Sequence, residues 1–269
     1  MKIYAIRDNT VDKDKDLAYL FYYPKLDQCC IEINEDVDEW QLPFILEHFV
    51  RKGMRSVDQY HTKLFISQRV VPCDRQNIGM ILKNNGLDEY DEMKLFLLAD
   101  GRCCQDDCYI VRVDEASLPL TIRERLKRRI VSAVYCGHMD YVVSFGDGHA
   151  GVLQLQRLSG SNGTYERFKI YSELLDKTSV QGGGASLALT EREHISSEAA
   201  YAGCDMLPVN MEQICSLVDR SRMGTQEVCG IMGCSRQNIN DLVKRDRLHP
   251  TASDGNSLMF SRGEIIERL

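Results

Sequence analysis

Two periodicities run along this chain, and the switches between them delimit its elements. LAYLFYY (17–23) and CCIEI (29–33) are strand-forming runs on either side of the turn-like PKLDQ, a pattern that predicts a hairpin. QLPFILEHFVRKG (41–53) sets Phe44, Ile45, His48 and Phe49 at helical spacing, with Gly53 placed to stop the helix. Further helices are expected in SVDQYHTKLFISQRVV (56–71), ahead of Pro72, and in GLDEYDEMKLFLLADGR (86–102) and LTIRERLKRRIV (120–131), with DCYIVRV (107–113) as a strand. Near Val131 the pattern changes. Tyr141, Val143 and Phe145 alternate, the chain turns at 146–148, and an apolar return follows at 152–155. ASLAL (185–189) is a further strand after the glycine run 182–184, and Pro208 in CDMLPVN (204–210) marks a boundary. MEQICSLVDRSR (211–222) predicts a packing helix through Ile214, Leu217 and Val218.

The tetrapeptide RQNI occurs twice, in CDRQNIGMILKNNG (73–86) and CSRQNINDLVKRDR (234–247). Each copy follows a short polar residue, Asp74 or Ser235, of the kind that caps a helix start with its side-chain oxygen. Ile78, Ile81 and Leu82 in the first copy, and Ile239, Leu242 and Val243 in the second, have the spacing of one buried face. Both copies therefore predict helix beginnings, and their outward faces differ. The first presents Gln76, Gly79, Met80 and Lys83 and suits a scaffold helix. The second presents Gln237, Asn240, Asp241 and Lys244, followed by Arg245 and Arg247.

Around the second copy the local signals agree with one another. Thr225 is placed to cap a short helix with Val228 and Met232 facing inward, and Gly233 can end it in the left-handed conformation. Ser235 then caps a second helix. Two short helices joined by a glycine turn predict a helix-turn-helix, in which the second helix can enter a major groove. After Leu248 and Pro250, the polar loop TASDGNS (251–257) and the apolar LMF (258–260) suggest a wing hairpin, and Ser261 is placed to cap a last helix through Ile265 and Ile266.

This region, 223–269, resembles the excisionase and MerR-type winged helix-turn-helix family. The matching residues are Thr225, Val228, Gly233, Ser235, Arg236, Ile239, Leu242, Val243, Lys244, Arg245, Leu248, Phe260, Glu264 and Ile265. The resemblance implies sequence-specific binding of double-stranded DNA, in regulation or site-specific recombination. Asp246 stands where that family usually has glycine, and the wing loop is acidic. The residues support the same expectation independently. The paired donor and acceptor of Gln237 and Asn240 suit adenine edges, and Arg236 suits guanine or phosphate. Lys244, Arg245 and Arg247 suit phosphates that set register. The expected DNA-binding set is thus Thr225, Ser235, Arg236, Gln237, Asn238, Asn240, Lys244, Arg245 and Arg247. The middle section, with YVVSFGDGHAGVLQL, GGGASLALTEREHIS and AAYAGC over 131–204, resembles a small bacterial domain family of unknown function, which implies a compact α+β fold and no particular activity.

Composition narrows the picture further. With 43% apolar and 27% charged residues in 269, the chain can form two or three cores. The expected class is α+β, with domains at 1–130, 131–206 and 207–269. A net charge of −7 argues against coating of nucleic acid but is compatible with a small reader domain on an acidic body, binding locally and with a homodimer as a candidate form. No apolar run reaches membrane-spanning length, and MKIYAIRDNTVDKDKD has no signal-peptide core, so a cytoplasmic protein without a membrane partner is expected. Eleven cysteines, an odd number with two adjacent pairs, suggest reduced and mostly buried thiols.

Other chemical signals are weaker. Cys103, Cys104 and Cys108 beside Asp106 and Asp107 lack the spacing of a zinc site, so no metal is expected. QGGGAS (181–186) lacks the Lys-Ser/Thr ending of a phosphate loop and reads as a turn, so no cofactor is expected. The acidic run at 88–92 fits a helix start. His61, His138, His149 and His194 lie in separate segments, and no residue stands in a nucleophile signature, so no reaction is selected and no enzyme is expected. Two rival readings remain. One is an interaction module, such as an antitoxin that neutralises a partner protein and autoregulates. The other is an undisclosed activity in the amino-terminal third, which a deep pocket with converging Asp, His or Cys side chains would favour.

Overall fold

The computed structural model describes residues 1–12, 15–158, 175, 177–190, 193–254, 257–266 and 268. Its first sheet grows from β1 (Lys2–Asp8), β2 (Ala18–Tyr23) and β3 (Gln28–Ile33), all antiparallel. The hairpin of β2 and β3 runs in register from Ala18 opposite Ile33 to Tyr23 opposite Gln28. β4 (Ser56–Val57) pairs beyond β3 and β5 (Cys108–Val113) pairs with β1, giving the order β4-β3-β2-β1-β5.

Alternate side chains of these strands enter two different cores. Ile6, Leu20, Ile31 and Ile33 pack with Leu46 and Phe49 of α1 (Phe44–Arg51), Phe65 of α2 (Gln59–Ser67) and, past α3 (Ile78–Asn84), Phe96 of α4 (Glu92–Leu98). Ile3, Ala5, Tyr19, Phe21 and Cys30 form the opposite face, against Leu118 and Ile122 near α5 (Leu120–Lys127). Burial on both faces explains why LAYLFYY is nearly continuous in apolar character instead of alternating.

The next segment contains β6 (Ile130–Tyr135), β7 (Asp140–Phe145), β8 (Ala150–Gln154), α6 (Leu155–Leu158), β9 (Ser179–Gln181), β10 (Ser186–Ala188), β11 (His194–Ser196), α7 (Ser197–Gly203) and β12 (Cys204–Met206). They make one sheet of order β12-β8-β7-β6 and another of order β11-β10-β9. Tyr141, Val143, Phe145, Leu153, Leu187 and Ile195 fill their shared core. The glycine run holds φ angles of 62°, 61° and 95° at Gly182, Gly183 and Gly184. A Cβ on Gly183 would enter the Tyr23 ring, and one on Gly184 would stand 2.5 Å from the Ile130 carbonyl oxygen. This run is a close backbone approach that only glycine allows.

Segments 1–130 and 131–206 lie within one compact unit, Met1–Leu207, and Pro208–Leu269 forms a second. Gln28 joins the two segments of the first unit, its Oε1 accepting from Gly183 N at 3.0 Å. Within the first segment a buried ion pair forms at Arg129. Arg129, 5% exposed, donates to Glu32 Oε1 at 2.9 Å and to the Tyr23 hydroxyl at 2.6 Å. It also donates to Cys30 Sγ at 3.1 Å. Burial pushes the Cys30 thiol up to about 11 although the Arg129 charge opposes the shift, so that sulfur is an unreactive thiol near neutral pH.

Several expectations need correction in the first unit. Phe44 begins α1 but is 83% exposed, because the buried stripe runs through Leu46 and Phe49. The first RQNI copy is not a capped helix. Arg75 to Asn77 lie in turns, α3 begins only at Ile78, and its preceding residue Asn77 makes no side-chain cap. Asp91, by contrast, accepts from Lys94 N at 2.9 Å and caps α4, so most of the acidic run precedes the helix. All eleven cysteines are free thiols, but only Cys29, Cys30 and Cys108 are buried. Among the described residues no helix is long and apolar enough to cross a membrane, and no cluster of His, Cys, Asp or Glu is arranged to hold a metal.

The second unit comprises α8 (Met211–Ser221), β13 (Arg222–Gly224), α9 (Thr225–Met232), α10 (Arg236–Lys244), β14 (Pro250–Asp254), β15 (Ser257–Ser261) and α11 (Arg262–Ile266). Its strands are ordered β13-β15-β14. Met223, Val228, Ile239, Leu248, Phe260 and Ile265 form its core. The expected packing helix α8 is formed and doubly capped between Asn210 and Gln213, but it has no buried residue. Leu217 is 68% exposed and Val218 37%, so the apolar stripe of α8 is not part of that core.

Candidate nucleic-acid interface

The turn between α9 and α10 follows from two residues. Gly233 has φ 63° and donates its N–H to the Cys229 carbonyl, closing α9 in the left-handed conformation. Ser235 then stands in extended conformation, and its Oγ accepts from Asn238 N at 3.3 Å, which starts α10. Ile239 anchors the new helix at 0% exposure, and Leu242 and Val243 pack beside it.

With those three side chains turned inward, the remaining stripe of α10 is fixed by geometry. At about 100° per residue, Gln237, Asn240, Asp241 and Lys244 fall within an arc of about 100° opposite the core. Gln237, Asn240 and Lys244 are exposed, as are Arg236 at the helix start and Arg245 and Arg247 beyond its end. Ser235 is exposed but its hydroxyl oxygen serves the cap. Asn238 is exposed on the flank away from the stripe.

Thr225 departs from the expectation. It is 4% exposed, and its hydroxyl donates to the Leu258 carbonyl at 3.1 Å, tying α9 to β15. Nor does it cap α9. Gly224 is the N-cap, and the Glu227 carboxylate reaches back to accept from Gly224 N at 3.2 Å. Thr225 is therefore a packing residue with no side chain to offer a ligand.

Asp246 has φ 54°, a left-handed conformation that glycine would adopt without penalty. The N–H groups of Asp246 and Arg247 donate to the Val243 and Leu242 carbonyls, closing α10. His249 follows, with its ring nitrogen Nδ1 3.0 Å from Glu264 Oε1. Burial acts to raise the Glu264 carboxyl, but hydrogen bonds from the His249 ring and backbone and from Arg268 outweigh it and hold the group below the usual carboxylate range. This cluster fastens the start of the hairpin to α11.

The expected hairpin is present, and 251–254 of the polar run belong to its first strand. β14 runs antiparallel to β15, with a register shift between Pro250 and Ala252. The tip, 255–256, lies outside the described residues. Ser261 ends β15.

The residue that the expected binding set omits is Asp241. It lies one turn from Gln237 on the same stripe, and the helical period that selected Gln237 and Asn240 also selects it. A carboxylate there can accept from a cytosine amino group and repels phosphate. Charge balance across the chain also differs by unit. Residues 208–269 carry eight Lys and Arg against eight Asp and Glu, so the whole of the −7 resides in residues 1–207.

Comparison with models of protein families, with curated proteins and with solved structures gave no match.

Proposed function

We propose that this chain is a cytoplasmic, sequence-specific DNA-binding regulator, acting in transcription or mobile-element control and not as a catalyst. In this reading Pro208–Leu269 works as a winged helix-turn-helix. α10 reads the major groove, the β14–β15 hairpin is the wing, and the first unit serves sensing or dimerisation. The observation that carries the reading is the division of α10 into a fully buried Ile239 side and an outward stripe of Gln237, Asn240 and Lys244 flanked by three arginines. Gln237 and Asn240 would contact base edges, while Arg236, Lys244, Arg245 and Arg247 would contact phosphates. A neutral unit on an acidic partner unit gains little from general attraction to DNA, so base contacts and pairing of two chains on a two-fold site would have to supply the affinity.

Selection from a pool of randomised duplexes tests this. One motif, with an A·T step read by Gln237 or Asn240, is expected to be enriched, and Gln237→Ala or Asn240→Ala should relax the preference there. A pool that stays random after repeated rounds would contradict the reading.

A second reading is favoured by one specific observation, the exposed apolar stripe of α8 at Leu217 and Val218. A module that binds and neutralises a partner protein, as an antitoxin does, would use such a stripe. Co-purification of a stoichiometric basic protein would support that alternative.

A further inference from the structure

Three histidines that lie far apart in the sequence, His48, His61 and His194, meet in the first unit. A cavity of about 360 Å³ lies between α1, β4 and α2 on one side and the β10–β11 pair with the start of α7 on the other. Its polar lining includes His48, Lys52, Asp58, His61, Ser186 and His194. β10 and β11 pair with Ser186 opposite Ser196, and His194 is two residues before Ser196, so these three side chains share one face of the sheet.

Two details distinguish this cavity from an ordinary surface cleft. The first is Ser186, a residue only 1% exposed, whose Oγ is buried without a hydrogen-bond partner among the described residues. Native interiors satisfy nearly all such groups, and a bare hydroxyl in a cavity wall is one that a ligand can complete. The second is the way His61 is held. Its Nδ1 lies 2.7 Å from Asp58 Oδ2, and Asp58 Oδ1 accepts from His61 N at 2.9 Å. The ring is therefore fixed through one nitrogen, leaving Nε2 for a further partner. Phe49 packs edge-on to the same ring at 5.0 Å between centroids.

The charge balance of the lining selects the ligand. Burial acts to raise the Asp58 carboxyl, but hydrogen bonds from His61 and the charges of His61 and His194 bring it below its usual range, so it is ionised and already engaged. Among the described residues it is the only carboxylate of the lining, beside one lysine and three histidines. This donor-rich cavity lies in the unit that carries the whole of the chain's net negative charge. The remaining wall is apolar, with Phe49, Met54 and Leu158. We propose that the cavity is a binding site for a small organic anion, whose oxyanion head bonds Ser186 and the His61 ring beside His194 and whose short apolar body lies against Phe49 and Met54. This inference is independent of DNA binding, since it concerns the first unit alone.

Nuclear magnetic resonance of the full chain, following the imidazole C–H signals, tests it without DNA. The probes are butanoate, which has head and body, and inorganic phosphate, which has the head alone. Saturable shifts of the His61 and His194 signals are expected with at least one probe. Ser186→Ala, which removes a hydroxyl with no partner and should leave the fold intact, is expected to weaken that binding about tenfold, equivalent to about 1.4 kcal/mol. His61→Ala should weaken it at least as much. Absence of saturable shifts with both probes overturns the proposal, as does binding that Ser186→Ala leaves unchanged.

Discussion

The same four residues, Arg-Gln-Asn-Ile, behave differently at their two positions. At Arg236–Ile239 they form the first turn of α10, and at 75–78 they form consecutive turns that become helical only at the isoleucine. Two physical differences account for this. Ser235 stands in extended conformation and caps the helix, whereas Asp74 lies within a turn that follows Pro72, where Arg75 N donates to the Pro72 carbonyl. Ile239 is fully buried, whereas Ile78 is half-buried in a helix with no buried residue. Nucleating a helix turn is unfavourable on its own, so a cap and a burial site decide whether a given tetrapeptide becomes one.

That comparison can be broken by substitution, beginning with burial. Ile239→Ala is expected to destabilise the second unit by about 3 kcal/mol, because it leaves a cavity beside Val228 and Phe260. Ile78→Ala should cost the first unit no more than about 1 kcal/mol, since solvent already reaches that side chain. Urea unfolding of the two variants measures both, and equal losses would contradict the account. The caps give a smaller contrast. Ser235→Ala should cost about 1 kcal/mol and fray α10, whereas Asp74→Ala should change stability by less than about 0.5 kcal/mol. Hydrogen exchange at the amides of Asn238 and Ile78 reports each one locally.

Much of the second unit was legible in the sequence because its signals are local. Gly233, Ser235 and the spacing of Ile239, Leu242 and Val243 act within a few residues, and helix, turn and helix formed as those residues indicate. Thr225 was misjudged because its side chain has two uses, as a helix cap and as a donor to a neighbouring strand. Only the approach of Leu258, thirty-three residues away, decides between them. The stripe of α8 was read correctly as a period and wrongly as a burial, since periodicity does not say whether a partner surface exists within the chain. In the first unit β1 went unrecognised beside the charged residues that follow it. Across residue 130, Gly183 N donates to Gln28 Oε1, a bond between residues 155 apart that no local signal announces. The cavity of His61 and His194 had no local signal at all. Its residues come from α1, β4, α2, α6, β10, β11 and α7, and only the packing of β10 and β11 opposite α1 and α2 brings them together.

The contrast between the two units also frames the central claim. Acidic residues dominate the first, while the second is neutral overall and places four of its eight Lys and Arg, all exposed, on and just beyond α10. If that charge sits on phosphates, its removal must show in the number of counterions released. The most direct measurement is the salt dependence of affinity for a selected duplex, by fluorescence anisotropy, in the natural chain and in one carrying Arg236→Ala and Lys244→Ala. The account predicts weaker binding and a log–log salt slope shallower by about two, one for each lost phosphate contact. Unchanged affinity and slope in the double variant would contradict it.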